Sequence, residues 1–175
     1  VDFYSTIFST IDLRSFSNIW FWIAVAVGWS NMTHFIVGVP FDMVVRARRR
    51  GGQAMADLEV MAVLQARRRN EIMRSSGVWL AAFWAMVLTA LAVLAVGYGV
   101  EMAQAVTLLL IPMTVAAVLG LGLAKKLEAA PLIGAALTRK LTLHRLLIQG
   151  IGLLGILVTT MWGTWHNLSI HLLGH

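Results

Sequence analysis

No cysteine occurs anywhere in the chain. Disulfides, thiolate catalysis, iron–sulfur clusters and Cys-ligated zinc are therefore excluded. Charge is scarce too: 13% of residues are charged, about half of what a soluble domain carries. Acidic side chains are the scarcer sign, eight against fourteen basic ones. Proline occurs only at Pro40, Pro112 and Pro131, so long helices meet few breaks. No G-x-S-x-G, H-E-x-x-H or comparable catalytic set occurs. The first residues, Val1-Asp2-Phe3-Tyr4, have no basic n-region and no small-residue cleavage site, so no signal peptide is expected.

What is abundant is apolar surface. Hydrophobic residues make up 59% of 175 residues, and mean hydropathy is +0.79. These values point to a polytopic membrane protein of one domain. A helix needs about 20 apolar residues to cross the hydrocarbon core. Four stretches meet that length, at about 17–45, 76–98, 102–124 and 146–166. The expected fold is all-α: an integral membrane protein of four transmembrane helices in a bundle.

Every basic residue except Arg14 falls within 46–74 or 125–145. Lys and Arg are retained on the cytoplasmic side. Four spans put both stretches there and both termini on the outer, periplasmic side. Trp20, Trp22, Trp162 and Trp165 would then anchor the outer interface, with Trp79 and Trp84 near the inner one. Within the basic stretches, Met55, Leu58, Met61, Ala62 and Ile72 recur at helical spacing, as do Ile133, Leu137 and Leu141. Two amphipathic helices on the cytoplasmic surface are expected there, at about 53–73 and 131–144. Arg50-Gly51-Gly52 separates the first of them from the span before it.

Two sets of small residues predict close helix packing: Ala81, Ala85, Thr89 and Ala92, and Gly152, Gly155, Thr159 and Gly163. Pro40 and Pro112 predict kinks in the first and third spans.

The first span is the most polar. At about 100° per residue, Ala24, Gly28, Asn31, Gly38 and Asp42 share a face, His34 lies beside it, and Arg46 continues it. Such a stripe serves either as a packing seam ending in an Asp42–Arg46 pair, or as a proton or ion path. The other spans offer no ionisable partner at the depth of His34, which favours the seam. The same lack of a second histidine at matching depth argues against a b-type haem, and no cofactor is expected. His166, His171 and His175 form the one candidate metal set; no carboxylate stands nearby to orient the imidazoles, so no metal is expected. Arg48, Arg49, Arg50, Arg67, Arg68 and Arg69 suit anionic lipid headgroups or a partner. Without interleaved aromatics they are not read as a nucleic-acid surface. Gly150-Ile-Gly152-Leu-Leu-Gly155 matches a dinucleotide fingerprint but lacks the preceding strand.

The expected function is that of a non-catalytic membrane subunit, assembly factor or scaffold packed against a larger complex, with a membrane-protein partner or a second copy. The alternative is a small oligomeric transporter or channel using the polar stripe. A membrane enzyme or haem protein comes third. Eleven Arg against three Lys, with much Ala and Val, suggests a GC-rich bacterium and hence the inner membrane.

Overall fold

A computed structural model describes residues 19–173, with the side chains of 166, 167 and 169–173 left aside. The chain is about 91% helical and all-α. In order, it forms α1 (Ile19–His34), a two-stranded hairpin of β1 (Phe35–Ile36) and β2 (Val39–Pro40), α2 (Phe41–Arg50), α3 (Gly52–Ala92), α4 (Glu101–Ala129) and α5 (Gly134–Leu173). A π turn, Val93–Gly97, ends α3. Three helices are long and apolar enough to cross a membrane: Gly52–Gly97, Glu101–Ala129 and Gly134–Trp165. α4 packs against both α3 and α5, and α1 leans on α5.

The stretch 17–45 does not form one helix. α1 stops at His34, and Phe35 pairs with Pro40 and Ile36 with Val39 across a tight turn. Val37 and Gly38 at the tip have φ of 55° and 85°, the left-handed region where a helix cannot continue. A Cβ on Gly38 would also lie 3.1 Å from the Gln65 carboxamide. Pro40 therefore does not kink a span; it leads into α2 with φ −62°. Its missing N–H and its ring would have disrupted a helix here in any case. The larger reason is tertiary: Ile36, Val37 and Val39 are all buried, which no position on a lone span allows.

The two expected surface helices also take another form. The segment 53–73 runs straight on into the apolar stretch as α3, 41 residues long, about 60 Å. The helix is continuous through Ser75-Ser76-Gly77, and Ser75 bonds back to the Ile72 carbonyl at 3.2 Å. Likewise 131–144 and 146–166 merge into α5, 40 residues long. No proline interrupts either helix. Helices this long are about twice the roughly 30 Å of a hydrocarbon core, longer than a crossing needs. The apolar faces read as lipid-facing meet one another instead. Leu58, Ala62 and Ala66 of α3 pack with Leu123 and Leu127 of α4 and with Leu137 and Leu141 of α5. The hairpin and α2, through Val44 and Ala47, close this core. Ile72 and Ile133, assigned to the same faces, remain exposed.

A second, smaller core lies among the apolar halves, around Val25, Trp29, Ala116 and Ile148. Here the glycines of α5 serve close approach. A Cβ on Gly152 would sit 2.8 Å from the Trp29 ring, and one on Gly155 3.0 Å from the Pro112 ring. Pro112 thus remains inside α4, its ring seated on α5.

Candidate functional site

The polar residues of the first span are parted by the hairpin. Asp42 and Arg46 pair at 3.1 Å one turn apart on α2, each more than half exposed. His34 ends α1, exposed, its ring edge-on to Phe35 with centroids 4.8 Å apart. Asn31 alone enters a cavity, of about 320 Å³. The stripe of small and polar residues is therefore not continuous. Arg48, Arg49 and Arg50 are exposed along α2, and Arg67 and Arg68 along α3, whereas Arg69 is half-buried.

That half-burial brings Arg69 into the same cavity as Asn31 and His144, where α1, α3, α4 and α5 converge. Gly120 of α4 makes the room. Measured from where its Cβ would stand, Arg69 Nη1 is 3.4 Å away and His144 Nε2 4.0 Å. The remaining wall is mainly apolar, with Met32, Ala116 and Ile148. The cavity is at the small end of ligand pockets, which run roughly 300–1,000 Å³.

Beside it, polar groups lock the basic halves together. Asn70 is buried at 4% exposure, and its Nδ2 donates to Glu128 Oε2 at 2.6 Å. Arg74 reaches the other oxygen of the same carboxylate at 2.6 Å. Glu59 accepts a 2.6 Å bond from the Gly134 N–H, placing a carboxylate at the positive end of α5. The Arg145 guanidinium stacks 3.9 Å from the centre of the Phe41 ring, a cation–π contact. At the far end, Gln104 donates to the Ala95 carbonyl in the π turn, 3.2 Å, and accepts from the Trp162 indole, 3.1 Å.

None of these ties was anticipated from sequence. Asn70, sandwiched between an arginine run and Glu71, reads as one more solvated polar residue. Glu128 reads as a membrane-edge charge. The usable signal was Gln104, an uncharged polar side chain in the apolar part of α4.

Among the described residues no group of three His, Asp or Glu side chains is placed to hold a metal. The His166, His171 and His175 set lies outside the side chains described. No protein-family model, curated protein or solved structure matches the chain.

The clamp is directly testable. Asn70→Ala removes a buried hydrogen bond and is expected to lower unfolding free energy by about 1–3 kcal/mol, measured by denaturant titration in detergent. Asp42→Asn breaks a solvent-exposed pair, for which less than about 1 kcal/mol is expected. Equal losses from the two variants would contradict this ranking.

Proposed function

We propose that the chain is a non-catalytic integral membrane subunit, an assembly factor or scaffold that packs against a larger complex in a bacterial inner membrane. The observation that carries this reading is the apolar half of α3, only 6% of which is buried within the chain. Ala81, Ala85, Thr89 and Ala92 lie near one face of it, and all four are exposed. Small residues at this spacing let helix backbones approach closely in lipid, where no hydrophobic effect draws helices together. In α5 the comparable glycines are already filled by Trp29 and Pro112. Among the described residues, the face on α3 is left open for another transmembrane helix. A conduction path along Asn31, His34 and Asp42 has less support, because these residues do not share one face.

In this proposal α1 belongs to a fourth crossing. The basic ends of α3, α4 and α5 face the cytoplasm, where Lys and Arg are retained, and both termini face the periplasm. The absence of native cysteine makes the topology easy to check. A membrane-impermeant maleimide added to spheroplasts should label Val100→Cys, and should label Gln53→Cys only after lysis. The reverse pattern would invert the topology.

The subunit reading itself is tested by affinity purification in a mild detergent. A membrane protein should copurify in fixed stoichiometry. Ala85→Phe should lose it, while Leu153→Phe, on an exposed position of α5, should keep it. Recovery of the chain alone, or of a clean homo-oligomer, would sink the proposal.

A further inference from the structure

The cavity around Gly120 holds a cation with nothing to neutralise it. Among the described residues Arg69 forms neither an ion pair nor a hydrogen bond. No Asp or Glu lines the cavity. The side chain is half-buried, unlike those of Arg67 and Arg68. It comes within reach of Gly120, inside the apolar part of α4 and more than a turn before Lys125. A half-buried guanidinium without a carboxylate partner leaves its donors free for an anion. A guanidinium presents a planar fork of donors that matches phosphate oxygens. The imidazole Nε2 of His144 and the carboxamide of Asn31 stand by as further polar partners.

The polarity of the wall has a direction. Ala116 lies one turn beyond Gly120, and Ile148 one turn beyond His144, both toward the apolar halves of their helices. The cavity is therefore cationic on its basic-end side and apolar on its deeper side. A phospholipid whose headgroup lies at that interface has the same order of parts. Basic pockets between spanning helices on the cytoplasmic side are suited to anionic headgroups.

We propose that this cavity is a site for one anionic phospholipid, with its phosphate on Arg69, His144 and Asn31 and the start of an acyl chain against Ala116 and Ile148. The site requires only that the helices cross a bilayer; it does not depend on which protein partner the chain has.

Native mass spectrometry of the full chain in detergent, titrated with phosphatidylglycerol, tests this. One lipid per chain should be retained in preference to phosphatidylcholine. Arg69→Gln should weaken retention about tenfold, the size expected for losing one charge-assisted hydrogen bond. Arg68→Gln removes the same charge from the exposed neighbour and should change it less than about twofold, under a few tenths of a kcal/mol. Gly120→Leu fills the cavity without altering charge and should also lose the lipid, which keeps the test decisive if Arg69→Gln fails to fold. Equal effects of the two arginine variants, or equal retention of phosphatidylcholine, would overturn the site. Displacement of the lipid by glycerol 3-phosphate at an equal concentration would mean a soluble phosphate ester is bound, and would overturn the lipid assignment.

Discussion

The structure depends on apolar burial at its basic end. There Leu58, Leu127, Leu137 and Leu141 reach almost zero exposure, together with the hairpin residues Ile36 and Val39. Burying each such side chain away from water is worth about 1.5–3 kcal/mol, and that force acts only where water is the alternative. Along the membrane-crossing halves, lipid is as apolar as leucine, so association must come from close fit and polar contacts. The chain reflects this division. Its basic end has a continuous core drawn from α2, the hairpin and the three long helices. Its apolar halves hold a smaller cluster around Trp29 and leave much of α3 uncovered.

The polar ties follow from that core. Once the leucines set α3, α4 and α5 side by side, Asn70 and Arg74 converge on Glu128, and Glu59 meets the first amide of α5. A buried carboxamide that must find a partner fixes helix register more sharply than leucines do. With the register fixed, Arg69 and His144 come together over Gly120. The cavity is thus a consequence of helix packing in the basic half, while the exposed small-residue face lies on the other half of α3.

The periodicity of apolar residues revealed helix almost everywhere, and the basic stretches marked one end of the bundle. It did not reveal where helices stop. Met55, Leu58, Met61 and Ala62 show the same spacing whether their face meets lipid or leucines of another helix, so a surface helix and a projecting bundle look alike. The hairpin was hidden for the opposite reason. Phe35–Pro40 is as apolar as the span before it, and only the burial of Ile36 and Val39 against distant helices explains the break. That break in turn disperses the polar stripe. Asn31 stood out in the sequence, but its companions in the cavity are Arg69 and His144, separated from it by dozens of residues and invisible to any local pattern.

α3 is one continuous helix, long enough to run straight from water into lipid rather than lie along the membrane surface for its first half. Spin labels placed singly along α3 in lipid nanodiscs measure this through collision with oxygen, which partitions into lipid, and with a water-soluble nickel chelate. Labels at the exposed positions Val60 and Leu64 should respond to the nickel chelate, and labels at Val78, Phe83 and Met86 to oxygen, with one crossover between them. Oxygen exposure at Val60 and Leu64 equal to that at Val78 would mean that the first half of α3 lies in the membrane instead.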